Sequence, residues 1–267
     1  MWSDLSPSGP QAQKLPERLC RGMVTPNLRI RGYAVKDTSG FARLSLRFLT
    51  VVDVEGYSRR STSEQSKVQD DLESAMSEAA ARAGLDRRRW YLQPCGDGEL
   101  AVLPASADGL SLVADYPRTL ALILGEINRS YAPVSRLRIR MAIHHGGVAP
   151  GRFGPVGAAP ITVSRLADAQ VLRQELRRRN DIDVALIVSA TVYEEIVRSR
   201  FHDLEPEAFS RTIIRTKGTT FIGYLFKGCF PLQERSVSTV TSRNASAQPT
   251  ALPTESSIPS LVAKKPG

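Results

Sequence analysis

The chain has 267 residues, 42% hydrophobic and 6% aromatic, with 36 Lys and Arg against 27 Asp and Glu and a formal charge of +9. That suits one substantial soluble domain with tails, or at most two small ones, and no window reaches the ~18 uncharged apolar residues that a membrane helix needs. The three cysteines, Cys20, Cys95 and Cys229, are odd in number and lack metal-ligand spacing. They argue against a disulfide framework and for a reduced, cytoplasmic compartment, and the N-terminus has neither the basic nor the apolar region of a secretory signal. A basic balance suits polyanions such as nucleotides or nucleic acid. The run "LRQELRRRND" at 172–181, however, lacks the interleaved aromatics of a single-strand binding platform and reads as an exposed, mixed-charge helix face.

Residues 1–40 are rich in Pro, Ser and Gly, and residues 232–267 in Ser, Thr and Pro. Both are expected to be disordered tails around a domain at 41–231. Inside it, the β-branched run 43–54 predicts a strand. Ser61 and Glu64 form a capping-box pattern that opens a helix, with Val68, Leu72, Ala75, Met76, Ala79 and Ala83 on its inner face and Gly84 at its end. "WYLQP" at 90–94 and "ELAVLP" at 99–104 read as strands around the turn "CGDG". A second helix carries Leu112, Val113, Tyr116, Leu120, Ile123, Leu124, Ile127 and Tyr131 inward. There follow a strand at 136–148, a helix, a strand at 183–189, a helix at 190–200 and a terminal hairpin at 215–228. This order gives an α+β fold, a ferredoxin-like βαββαβ unit with a mixed sheet covered by helices on one face.

Two acids stand out. Asp53 ends the first apolar strand, and Asp97 sits in the "GDG" turn. A βαββ arrangement sets the first strand beside the hairpin, which aims both carboxylates at one end of the sheet. Crowded carboxylates repel unless cations bridge them, and the hard ions Mg²⁺ or Mn²⁺, completed by phosphate oxygens, suit two aspartates. Two such ions would serve an in-line displacement at phosphorus. With no counter-ion evident in the sequence, replacing either acid by Ala is expected to leave folding intact.

"VVDVEGYS" at 51–58, followed by "CGDGELAVLP" at 95–104, resembles the class III nucleotide cyclases, whose D-x-x-G-[FY] strand end and G-D-[GAS] hairpin carry the metal-binding aspartates. "RLRIRMAIHHGGV" is similar to that family's His-x-Gly strand, "VGAAPITVSRLADA" at 156–169 to its A-S-R-L helix, and "RTKGTTFIGYLF" to its final hairpin. The resemblance covers about residues 45–228. It implies Asp53, Asp97 and the Val54 carbonyl as ligands of two divalent ions. It further implies Arg165 on the phosphates and the departing charge, Lys217 on the terminal phosphates, and a head-to-tail homodimer in which one protomer's acids face the other's Arg165 and Lys217. The reaction implied is attack of a ribose 3′-hydroxyl on the α-phosphorus of a nucleoside triphosphate, giving a 3′,5′-cyclic monophosphate and pyrophosphate. His144 and His145 are read as structural.

The purine-reading positions depart from the family. Gln93 stands where adenylate-forming members carry Lys, and Gly154 where they carry Asp or Thr. With Tyr57 or Trp90 bounding a smaller pocket, this resembles the bacterial pyrimidine cyclases of anti-phage signalling, with UTP as substrate first and CTP second. Ile161, following Pro160, replaces a ribose-orienting Asn, for which Thr162 is the available substitute. The alternative is a degenerate cyclase-homology domain that binds a nucleotide or partner without turnover.

Overall fold

The computed structural model describes residues 43–216 and 218–230. The two tails expected at 1–40 and 232–267 lie outside the described residues, as does Lys217. A seven-stranded sheet runs in the order β2-β3-β1-β4-β5-β7-β6. Its strands are β1 (Ser45–Val54), β2 (Tyr91–Pro94), β3 (Gly98–Val102), β4 (Ile139–Val148), β5 (Val184–Ser189), β6 (Phe209–Thr216) and β7 (Thr219–Phe226). Only β4 and β5 pair in parallel, so the sheet is mixed and the α+β class is as expected. No helix among the described residues is long and apolar enough to cross a membrane.

Helix α1 (Thr62–Arg82) begins as its sequence dictates. Ser61 caps it, its N–H donating to Glu64 Oε2 at 2.8 Å while its hydroxyl accepts from the Glu64 N–H at 3.4 Å. All six residues assigned to the inner face are buried. A wide turn over Ser111–Asp115 leads into α2 (Tyr116–Ile127), where Pro117 has no N–H to return to the preceding turn. Helices α3 (Ala158–Ala167), α4 (Gln170–Arg178) and α5 (Ala190–Glu195) complete the chain.

The helices divide between the faces of the sheet, where one covered face was expected. Val52 and Val54 of β1 share a core with α1, α2 and Val192 of α5. Leu49 and Val51, pointing the other way by the two-residue period of a strand, share a second core with Val163 and Leu166 of α3 and Leu172 and Leu176 of α4. The run at 172–181 is therefore not a purely exposed face. Leu172, Glu175 and Leu176 are buried, and Glu175 is neutralised by Lys227 beyond β7.

The β2–β3 hairpin is held from behind by a buried, bidentate ion pair. Arg87 donates to the two carboxylate oxygens of Glu99 at 2.6 and 2.8 Å, and both residues are largely excluded from solvent. Glu99 directly follows the "GDG" turn, so this pair steadies the segment that carries Asp97.

Candidate functional site

The last residues of β1 and the β2–β3 turn are locked together by backbone. Asp53 stands opposite Gly98 in the antiparallel ladder, and the Val54 N–H donates to the Asp97 carbonyl at 2.8 Å. Each glycine beside Asp97 has a reason. Gly96 has φ +78°, which favours glycine, and a Cβ at Gly98 would stand 1.9 Å from the Val52 carbonyl oxygen. The Gln69 side-chain amide, from α1, then donates both to the Gly96 carbonyl at 2.6 Å and to the Tyr57 hydroxyl at 2.7 Å. One helix residue thus ties the turn bearing Asp97 to the β1–α1 connection. Asp53, Val54 and Asp97 lie side by side at one rim of the sheet.

Asp53 shares its strand parity with Leu49 and Val51 and so opens towards the α3–α4 side. Opposite it on β4, in register, stands Arg140. Its guanidinium forms an ion pair with Asp53, and the two side chains are only 11% and 20% exposed. Asp53 Oδ2 and Arg140 Nε and Nη1 are buried without hydrogen-bond partners, so the contact is one of charge rather than a fully satisfied fork. Burial and the neighbouring Arg173 hold the Arg140 guanidinium below its ordinary value. This corrects the expectation of an unbridged acid pair. Asp53 already has a cation, and its removal strands a buried guanidinium.

The donor set is chemically consistent with a hard divalent ion. Two carboxylates and a strand-end carbonyl offer oxygen only, and among the described residues no cluster of three or more His, Cys, Asp or Glu is poised to hold a metal. Magnesium and manganese, which retain waters and complete their shells with phosphate oxygens, fit two aspartates; a closed zinc site does not.

Gln93 on β2 and Gly154 in the loop before α3 are in contact: a Cβ at Gly154 would lie 2.4 Å from Gln93 Oε1. Tyr57 packs its ring against the α1–α2 core. Trp90 is 3% exposed and stacks edge-on against Tyr116 at 5.6 Å, so it belongs to the core rather than to a nucleotide pocket. Arg165 is exposed on α3 and has no ion-pair partner among the described residues. Ile161 is 58% exposed, and the Thr162 hydroxyl donates back to the Ala158 carbonyl at 2.9 Å.

Both histidines of β4 are held by the fold. His145 stacks on Phe48 at 4.5 Å and meets Glu195 at 3.1 Å. His144 has a buried, unpartnered Nδ1, and burial, then the neighbouring His145, push its pKa down to about 4.

No protein-family model and no curated protein sequence matches the chain. Solved structures do. An adenylate/guanylate cyclase/hydrolase from Silicibacter pomeroyi superposes with a TM-score of 0.50 at 17% identity, covering 69% of this chain and 98% of that one. The guanylyl cyclase Cya2 gives 0.48 at 16%, covering 70% and 94%. The guanylate cyclase domain of RhGC from Catenaria anguillulae, in complex with GTP, gives 0.43 at 19%, covering 69% and 98%. The Silicibacter match identifies the fold as that of a nucleotide cyclase domain.

Two predictions follow from this geometry. Asp53→Ala and Arg140→Met should each lower stability in urea unfolding by about 3 kcal/mol, because each leaves one charge buried alone, and the double variant should regain most of the loss. Additive losses would show that the pair is not coupled. A His kept neutral in the fold binds fewer protons than its unfolded counterpart between the ordinary value of 6.5 and about 4. The thermal midpoint should therefore fall as pH drops through that window, and less steeply in His144→Gln. Equal slopes would assign the acid sensitivity elsewhere.

Proposed function

We propose that the protein is a nucleotidyl cyclase that converts a nucleoside triphosphate to its 3′,5′-cyclic monophosphate and pyrophosphate. The observation that carries this reading is the backbone-locked juxtaposition of Asp53 and Asp97 on a cyclase fold. Asp53, Asp97 and the Val54 carbonyl would hold two Mg²⁺ or Mn²⁺ ions, which supply an activated ribose hydroxyl and neutralise phosphate charge. For these carboxylates to accept ions, Arg140 must give up Asp53, and its unpartnered Nε and Nη1 leave it free to turn to another acceptor. Gly56, at φ +66°, shapes the β1–α1 turn beside the rim.

The chain's own groups would do the rest from two protomers. Arg165 is exposed on α3 and has no ion-pair partner among the described residues, as a residue that serves the partner's site would be. Ile161 on the same helix and Phe153 and Val156 in the loop before it are 58%, 95% and 50% exposed, apolar surface suited to a homodimer contact. A head-to-tail dimer would bring Arg165 and Lys217 to the other protomer's acids. For the base, the contact between Gln93 and Gly154 leaves little width for a purine, and Gln offers both a donor and an acceptor. UTP is the favoured substrate, then CTP, and a pyrimidine messenger of this kind would serve anti-phage signalling in the cytoplasm.

A second reading, a cyclase-homology domain that binds without turnover, is favoured by one specific feature. Ile161 cannot orient a ribose, and the Thr162 hydroxyl is already spent on Ala158.

The test is incubation with each of the four triphosphates and Mn²⁺, with the product identified by mass. A cyclic pyrimidine monophosphate is expected. Asp97→Asn, whose carboxylate has no structural ion pair among the described residues, should lose at least about 10³-fold in rate while keeping its fold. Arg165→Ala should fall similarly. Mixing the two inactive variants should restore part of the activity, since one of the two sites in a mixed dimer is intact. Absence of product from every triphosphate by the wild type would favour the non-catalytic reading, and absence of complementation would remove the shared site.

A further inference from the structure

Beside the β1–α1 turn lies a cleft of about 460 Å³ that neither Asp53 nor Asp97 lines. Four segments build it: the turn itself, Glu64 in the first turn of α1, the run into β4 at 133–138, and the end of α4 with Asn180. Five arginines, Arg59, Arg60, Arg136, Arg138 and Arg177, face two glutamates, Glu55 and Glu64. The acids are already engaged. Glu55 pairs with Arg138 at 3.3 Å, and Glu64 closes the Ser61 cap. Arg136 is paired with Asp183 at 2.6 Å.

Of the rest, Arg60 is held in place, its charge shared with the Glu64 carboxylate. Arg60 donates to the Ser135 and Arg136 carbonyls, each at 2.8 Å, and its Nε is buried with no partner. Carbonyls fix a guanidinium's orientation but leave its charge. Arg59 lies against Gly56, where a Cβ would come within 2.7 Å of Nη2. Arg59 and Arg177 are exposed and ion-paired to nothing among the described residues. The planar guanidinium fork matches phosphate oxygens better than an ammonium group does. No aromatic side chain lines the cleft, so nothing there stacks a base.

We infer that this cleft binds a linear inorganic phosphate chain, pyrophosphate or longer. The inference stands on the arginines and not on the chemistry of the acid pair. If the proposed cyclisation also holds, the ligand is that reaction's own leaving group, retained next to the turn that borders the site, and free pyrophosphate should then inhibit turnover through the cleft.

The experiment is a calorimetric titration of the full chain in EDTA with pyrophosphate, tripolyphosphate, orthophosphate and sulfate. Both chain anions should bind, tripolyphosphate the tighter. The double variant Arg59→Ala/Arg177→Ala, which removes two exposed side chains with no ion-pair partner among the described residues, should keep its unfolding midpoint and bind both at least about tenfold more weakly. Asp97→Asn should bind them like the wild type. The inference fails if neither chain anion binds, if the double variant binds unchanged, if sulfate binds as tightly as pyrophosphate, or if Asp97→Asn abolishes binding. A protein that makes no cyclic product yet gives the expected titrations would refute the cyclase reading and leave the cleft standing.

Discussion

One backbone hydrogen bond, from the Val54 N–H to the Asp97 carbonyl, sets the geometry on which the site depends. It closes the β1–β3 ladder one residue beyond the Asp53–Gly98 pair. It brings the backbones of Asp53 and Asp97, more than forty residues apart in the chain, side by side. The closeness is possible because position 98 has no side chain: the Val52 carbonyl occupies the space that a Cβ would need. Gln69 and the Arg87–Glu99 pair brace the same turn from α1 and from behind the hairpin. The backbones that carry the two acids are therefore placed by the sheet, at a rim that is already assembled.

Charge at that rim is arranged by the strand period. The segment "RLRIRM" alternates Arg136, Arg138 and Arg140 with Leu137, Ile139 and Met141, and the three apolar residues are fully buried. Each arginine has a separate task. Arg136 reaches Asn180 and Asp183, Arg138 the carbonyls at the end of α4, and Arg140 the acid across the ladder. The basic composition is thus largely structural on this face. Among the described residues, Arg59 and Arg177 are the arginines of the neighbouring cleft with no ion-pair partner.

Much of the element order was legible because local rules govern it. The Ser61–Glu64 box, the inner face of α1 and the turn "CGDG" follow from capping and periodicity, and the structure agrees with them. The likeness of motifs also pointed to the fold that the superposition shows. Other features depend on partners distant in sequence. Periodicity announces an apolar helix face but not which side of the sheet receives it, so α3 and α4 on the second face could not be read from it. Glu175 looked solvated among its charged neighbours, because Lys227, which neutralises it, comes 52 residues later. Arg140 was the costlier omission, yet a signal existed. The alternation of "RLRIRM" places it on one face with Ala142, and pairing β4 with β1 would have set it against Asp53.

The central claim is that Asp53 and Asp97 together hold divalent ions for a nucleotide's phosphates. Anomalous scattering from crystals grown with Mn²⁺ and a triphosphate lacking the 3′-hydroxyl measures this directly. The account predicts manganese peaks about 2.1 Å from oxygens of both carboxylates, with phosphate oxygens in the same shells and Arg140 withdrawn from Asp53. A bound nucleotide with no manganese between the two aspartates, and Arg140 still paired with Asp53, would contradict it.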